Sequence, residues 1–174
     1  EGNIAISESK ADQQKLGQAI AQLVSQARVS TSNVAVGIPS SRVFTTVAEV
    51  DRLSPSELAK SIPLQADALI PTPLGESKID WALMGDSPTD KTKVEILLTS
   101  VPNQYVEDRL DMLEAIGLNV IAFEPDNLAM SRALAVPDNT PQLILDVGRH
   151  STDLVVLMGG LPHLPRSIPT GVEA

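Results

Sequence analysis

A stretch late in the chain, residues 143–156, most constrains what this sequence can fold into. Its letters, LILDVGRHSTDLVV, place an apolar run on each side of a short polar segment. Two apolar runs joined by Gly and polar residues are typical of the strands of a β-hairpin and its turn. The sequence therefore predicts a hairpin with Asp146 before the turn and Asp153 after it.

The turn of this hairpin has two interpretations that the residues alone leave open. Gly148 lets backbone N–H groups approach a phosphate closely, and the hydroxyls of Ser151 and Thr152 can donate hydrogen bonds. A carboxylate beside them can hold the water shell of a Mg²⁺ ion. The same residue types also make ordinary turns. The turn is therefore either a phosphate site or a structural turn.

Charge and composition exclude several classes of function. With 13 basic and 22 acidic residues the net charge is -9, which argues against nucleic acid because phosphate contacts need clustered Lys and Arg. The absence of cysteine excludes disulfides, and the two histidines disfavour a structural zinc site. No apolar run approaches the ~18 residues that a membrane span needs, so no membrane insertion is expected. The start at Glu1 rather than Met predicts a piece of a longer protein.

The remainder of the chain predicts an α/β fold. An apolar stripe at helical spacing predicts an amphipathic helix over residues 9–28, followed by a short strand at 34–38. Residues 42–123 then alternate in the order β-α-β-β-α-β. The first helix of this series begins with Ser54 and Glu57 at the spacing of a capping box.

No other motif in the chain predicts catalysis. The turn at residues 37–41, GIPSS, has neither the spacing nor the Lys of a P-loop. His150 and His163 have no Ser or Cys nucleophile in a recognisable motif around them, so a hydrolase triad lacks support. The sequence therefore predicts no catalytic residue.

Several short motifs, taken in chain order, resemble one known family. They are VAVGIPS at 34–40, LSPSEL at 53–58 with ADALIP at 66–71, LEAIGL at 113–118, LDVG at 145–148 with Ser151 and Thr152, and RSIPTG at 166–171. This succession resembles the actin-like family of the type IV pilus assembly protein PilM, which is related to the cell-division protein FtsA. Five motifs in the right order make the resemblance fairly specific.

The resemblance implies a fold and a division into subdomains. The expected fold class is α/β (α+β), a fragment of the actin-like ATPase type with a β-α-β-β-α-β subdomain called 1C. Residues 1–41 would form part of subdomain 1A, 42–123 subdomain 1C, and 124–142 the return to 1A. Residues 143–174 would begin subdomain 2A with the hairpin as the second phosphate motif.

The resemblance also implies a nucleotide site, carried over by position onto Asp146, Gly148, Ser151, Thr152 and Asp153. Asp146 would act on Mg²⁺ through water, and only in a full-length parent. The cofactors of that parent would be ATP and Mg²⁺. This fragment is expected to bind neither, because the first phosphate motif and the adenosine motif of the family would lie outside it.

The function implied is that of a cytoplasmic scaffold in type IV pilus assembly, peripheral to the inner membrane through its partners. The expected partner is the N-terminal cytoplasmic tail of a PilN-like inner-membrane protein, bound in a groove beside subdomain 1C. Self-association stays open, and enzymatic activity is expected of the parent at most. The alternatives are an FtsA-like ATPase that polymerises with nucleotide, and, less favoured, a relative of sugar kinases.

Overall fold

The computed structural model describes residues 4, 7, 9–136, 138 and 140–173; the start at Glu1 lies outside them. Contacts divide the chain into two compact units, each described by itself below. The first unit comprises Glu1–Val36 and Asn103–Glu124, and the second comprises Gly37–Pro102 and Pro125–Ala174. Within the described residues, no helix is both long and apolar enough to cross a membrane.

The first unit contains two helices and a two-stranded sheet. Helix α1 spans Lys10–Gln26 and strand β1 spans Asn33–Ile38. Strand β1 pairs with a later strand, β5, which spans Asn119–Pro125. The second helix of this unit, called α3 for its place in the chain, spans Asn103–Ala115. Gly117 follows its end, and the φ of 84° at this residue lies in the left-handed region that favours glycine.

Helices α1 and α3 approach each other closely at Gly17. A Cβ atom on Gly17 would lie 3.3 Å from Cγ of Met112, so a larger residue would require the Met112 side chain to move. The apolar stripe predicted on α1 is only partly covered. Leu16 and Ile20 are half-buried, whereas Leu23 is 63% exposed. Periodicity identified the apolar stripe, but it could not show that α3 covers only part of it.

The second unit contains two antiparallel three-stranded sheets. In the first, β2 (Phe44–Asp51) and β3 (Ser77–Asp86) both pair with a central strand β4 (Lys93–Pro102). Helix α2 (Pro55–Ala66) packs on this sheet. The core that they share is made of apolar side chains from both: Val50, Leu58, Ile62, Ala66, Ile70, Val94, Ile96 and Leu98.

The predicted capping box of α2 is present. The Glu57 carboxylate accepts hydrogen bonds from the backbone N of Ser54 at 2.9 Å and from its Oγ at 2.6 Å. These bonds satisfy a donor at the helix start and lower the pKa of Glu57. The helix continues through Pro63 and ends at Ala66.

The second sheet of this unit consists of β6 (Gln142–Val147), β7 (Thr152–Met158) and β8 (Leu161–Ile168), in that order. Helix α4 (Asp126–Leu134) covers one face of it. The apolar contact is made by Ile144, Val155 and Leu157 of the sheet with Met130 and Ala135. Strand β8 lies at the edge of the sheet, a position that tolerates its prolines.

The order β2, α2, β3, β4, α3, β5 reproduces the predicted β-α-β-β-α-β series. Its members do not, however, form one compact unit. Helix α3 and strand β5 group with α1 and β1, because β5 pairs with β1 rather than with the β2-β4-β3 sheet. The assignment of residues 42–123 to a subdomain 1C, and of the flanking parts to 1A and 2A, stays a prediction.

Candidate functional site

Strands β6 and β7 form the hairpin that the sequence predicted. Asp146 pairs with Asp153 and Val147 pairs with Thr152, which leaves residues 148–151 as the turn. The N–H of Gly148 donates to the carbonyl oxygen of Ser151 at 2.9 Å and closes the turn. A Cβ atom on Gly148 would lie only 3.0 Å from that oxygen, so a glycine suits this close approach.

Three carboxylates lie near one another beside this hairpin. Asp146 and Asp153 are opposite each other in the strand pair, and Asp126 is the first residue of α4. The pKa of Asp126 is raised, chiefly by burial and further by the negative charges of Asp153 and Asp146. Asp153 is 9% exposed and its Oδ1 is buried without a hydrogen-bond partner in the described part of the chain. This corner of the second unit is therefore acidic.

The end of β1 and the turn after it meet the start of α4 at the same corner. A Cβ atom on Gly37 would lie 2.5 Å from Oδ1 of Asp126, so a larger residue would force this carboxylate to move. The backbone N of Asn127 donates to Oγ of Ser40 at 3.2 Å. Asn127 is 3% exposed, and its Oδ1 is a second buried oxygen that has no partner among the described residues.

Sequence reasoning did not find Asp126 and Asn127. The one local signal was their position, directly after Pro125 at the junction of a strand and a helix. Polar residues at a helix start are ordinary capping residues, so this signal does not distinguish a site from a cap. Their proximity to the hairpin depends on how α4 packs on the sheet.

The segment that follows β8 packs over the hairpin turn. The hydroxyl of Thr152 donates to the carbonyl oxygen of Thr170 at 2.8 Å. The N–H groups of Val172 and Glu173 donate to the carbonyl oxygens of Gly148 and Arg149, each at 3.0 Å. Nε of Arg149 also lies 2.6 Å from the Glu173 carboxylate. Hydrogen bonds and an ion pair with the residues after β8 therefore hold the hairpin turn in place.

Gly171 allows this close packing. A Cβ atom there would lie 2.5 Å from the carbonyl oxygens of both Gly148 and Arg149. A side chain would collide with backbone that cannot move without opening the turn. The close packing at this position thus explains why the RSIPTG motif ends in a glycine.

The predicted phosphate-binding residues are brought together at the turn, but two of their donors are already used. The N–H of Gly148 binds Ser151, and the hydroxyl of Thr152 binds Thr170. The surrounding carboxylates favour a cation over a phosphate anion. Within the described residues, however, no three His, Asp or Glu side chains are arranged to hold a metal ion directly. In this conformation the residues do not form a phosphate cradle, and the nucleotide site stays a prediction.

A groove in the first unit is a second candidate for function. It lies between α1 and α3 and has a volume of about 530 Å³. Gly17, Met112, Ala115 and Ile116 supply its apolar part. Its polar residues are Lys10, Gln13, Gln14, Gln18, Gln104, Asp108 and Asp111. Asp108 accepts hydrogen bonds from the side-chain amides of Gln104 at 2.8 Å and Gln13 at 3.4 Å, which fixes part of the rim.

A smaller cavity continues this groove along α1. It has a volume of about 200 Å³ and shares Ile116 with the larger one. Its other lining includes Val24 and Val29 at the end of α1 and Leu118 before β5. From Lys10 to the end of α1 at Gln26, a helical rise of about 1.5 Å per residue gives a seam on the order of 24 Å long. An extended peptide of several residues fits such a length.

Comparisons with known proteins identify a family by its model and a fold by similar structures. The family model described as type IV pilus assembly protein PilM matches residues 1–161. Among solved structures, a chain of a PilM–PilN type IV pilus biogenesis complex is 23% identical, with a TM-score of 0.80. The match covers 92% of this chain and 49% of that one. This chain therefore spans about half the length of that relative.

A second similar structure is the cytoplasmic domain of EpsL, an inner-membrane component of the type II secretion system of Vibrio cholerae. It is 17% identical, with a TM-score of 0.57, and the match covers 88% of this chain and 56% of that one. At these identities the two structures establish the fold, and they confirm the predicted α/β fold class of the actin-like type. The match to the family model over residues 1–161 establishes more: this chain belongs to the family of the type IV pilus assembly protein PilM.

Proposed function

We propose that this chain is part of a scaffold in type IV pilus assembly that binds the N-terminal cytoplasmic tail of a PilN-like inner-membrane protein. The observation that carries the proposal is the fold match, over 92% of the chain, to a PilM solved in complex with PilN. The scaffold would act in the cytoplasm and reach the inner membrane only through its partner. No catalytic residue is needed for this function.

The groove between α1 and α3 is the surface that we assign to the tail. Its apolar part around Met112 and Ile116 can accept an apolar side chain, and the glutamine amides on its rim can hydrogen-bond an extended backbone. Asp108 and Asp111 outnumber Lys10, so the groove is acidic. Cytoplasmic segments next to a membrane span are rich in Lys and Arg, which makes the charges complementary.

Isothermal titration calorimetry with a peptide copied from a PilN-like tail tests this assignment. Asp111→Lys reverses a charge on the groove, and Glu114→Lys reverses one elsewhere on the same helix. Because exposed charges contribute less than about 1 kcal/mol each, we expect Asp111→Lys to weaken binding roughly three- to tenfold and Glu114→Lys to leave it nearly unchanged. Equal effects of the two variants would refute the assignment of the tail to this groove. No binding of the peptide to the full-length protein would refute the proposed function.

Nucleotide binding is a separate proposal that concerns the full-length parent. We infer that ATP and Mg²⁺ would be bound there with Asp146, Gly148, Ser151, Thr152 and Asp153 on the phosphate side, and that the present chain binds ATP poorly. The support is that the Gly148 N–H and the Thr152 hydroxyl are engaged within this chain. Fluorescent ATP should bind the parent and not the 174-residue chain. Equal binding to both would refute this inference. Nucleotide-dependent filaments of the parent would instead favour the FtsA-like alternative.

A further inference from the structure

A cavity of about 340 Å³ in the second unit belongs to neither candidate site. It lies where the 3-10 turn Ser40–Arg42 and the start of β2 meet the end of β8. The side chains that matter for its chemistry are those of Ser41, Thr45, Arg166 and Ser167. The five residues predicted for the phosphate hairpin do not line it.

Two hydroxyl groups at this cavity lack hydrogen-bond partners. Oγ1 of Thr45 and Oγ of Ser167 are both buried, and neither bonds to another described residue. Thr45 as a whole is only 7% exposed. A buried polar atom without a partner costs about 1–3 kcal/mol, so a group that binds both hydroxyls would be favoured. Both residues line the cavity, so their hydroxyls lie at its wall.

Arg166 adds a positive charge to these hydroxyls. Its Nη1 donates to the carbonyl oxygen of Pro165 at 2.8 Å, which holds the guanidinium at the free edge of β8. A guanidinium stays charged at all physiological pH values, and its planar set of donors matches a carboxylate or a phosphate. None of the described residues that line the cavity carries a carboxylate. Arg166 is thus the one charged side chain among the described residues that line the cavity, although Ser167 is paired with Asp153 of β7.

We propose that this pocket binds a small oxyanion, a phosphate or carboxylate group, through the Arg166 guanidinium and the hydroxyls of Thr45 and Ser167. The guanidinium and the two hydroxyls can all donate hydrogen bonds, and an oxyanion has several lone pairs that accept them. The site is separate from the groove between α1 and α3, and it does not depend on the proposed function.

Amide chemical shifts in a ¹H–¹⁵N NMR titration test the proposal on the intact chain. One series adds inorganic phosphate and another adds acetate, each against chloride at equal ionic strength. We expect saturable shifts at Thr45, Arg166 and Ser167 in at least one series, and the series with the tighter binding identifies the type of oxyanion. Absence of saturable shifts at these residues in both series would overturn the proposal.

Matched variants separate a specific site from a general attraction to positive charge. Charge-assisted hydrogen bonds from an Arg are strong, so Arg166→Gln should weaken the saturable binding by about tenfold or more. Arg132→Gln removes the same charge from α4, outside the pocket, and should leave the affinity unchanged. Equal weakening by both variants would show nonspecific screening and refute the site.

A double variant, Thr45→Val with Ser167→Ala, removes the two hydroxyls and keeps nearly the same shape. Because it also removes buried atoms without partners, the fold should tolerate it, which a thermal melt checks. The proposal expects weaker oxyanion binding in a folded variant. Unchanged affinity would show that the two hydroxyls bind only water and would refute their role.

Discussion

Among single residues, Asp126 has the clearest electrostatic consequence. Its carboxylate lies against the backbone of Gly37 and near the negative charges of Asp153 and Asp146. Burial and these charges both favour the protonated form, which is why its pKa is raised. An aspartate with a raised pKa in the folded state stabilises the fold below its unfolded pKa. This contribution is lost as the pH rises through the folded pKa.

Replacing Asp126 with Asn removes the charge and keeps the shape. We expect the variant to be more stable than the parent chain at pH 7. The gain should stay below about 1 kcal/mol, because solvent screens a partly exposed carboxylate. The difference should vanish in acid, where Asp126 itself is protonated. Urea unfolding at both pH values measures it, with Asp80→Asn on an exposed position of β3 as the control. A variant that is less stable at pH 7 would contradict the expected repulsion.

Prediction of the site succeeded for residues that are close together in the sequence and failed for residues that are far apart in it. The hairpin residues Asp146, Gly148 and Asp153 could be identified together because they lie within one local pattern. Asp126 could not be connected with them, since its distance from the hairpin depends on the packing of α4 on a sheet formed later in the chain. No periodicity or short motif encodes that contact.

At the level of elements, α2 shows how local signals agree with tertiary packing. The capping box fixes where the helix begins, and Leu58, Ile62 and Ala66 present one buried face to the sheet. These features could be predicted because they repeat at the helical period.

The contacts of the loop between β3 and β4 could not be predicted from the sequence. In this loop, Ser87 and Thr89 donate to the Glu49 carboxylate at 2.5 and 2.8 Å. A bond to a residue 38 positions away cannot be read from loop composition.

The two apolar residues Ile62 and Leu64 of α2 provide a matched test of this packing. Ile62 is 1% exposed and Leu64 is 81% exposed. Ile62→Ala should cost about 2–5 kcal/mol, because it leaves a cavity between α2 and the sheet. Leu64→Ala should change stability by no more than about 0.5 kcal/mol. Chemical denaturation followed by circular dichroism gives both values. Similar costs for the two would mean that α2 does not bury the face described here.

On the scale of the whole molecule, the sequence predicted the family and the order of elements, whereas its subdomain limits stay a prediction. The predicted subdomain limits followed the order of elements along the chain. The two compact units instead join segments that are far apart in sequence, such as β1 with β5. Strand pairing at long range depends on which edges are left free by all other pairings. For that reason local patterns predicted the strands correctly and left their grouping undetermined.

The net charge of -9 is a property of the whole chain, and it makes a prediction about binding of a basic tail. A negatively charged protein attracts a Lys- and Arg-rich peptide over distances of about 8 Å at physiological salt, and this attraction mainly raises the association rate. Stopped-flow measurements should therefore show slower association as salt rises, with a smaller change in dissociation. A peptide whose Lys and Arg residues are replaced by Gln should associate slowly at every salt concentration. If both peptides associate at the same rate in low salt, charge does not guide the partner, and the apolar part of the groove around Met112 and Ile116 must supply the recognition.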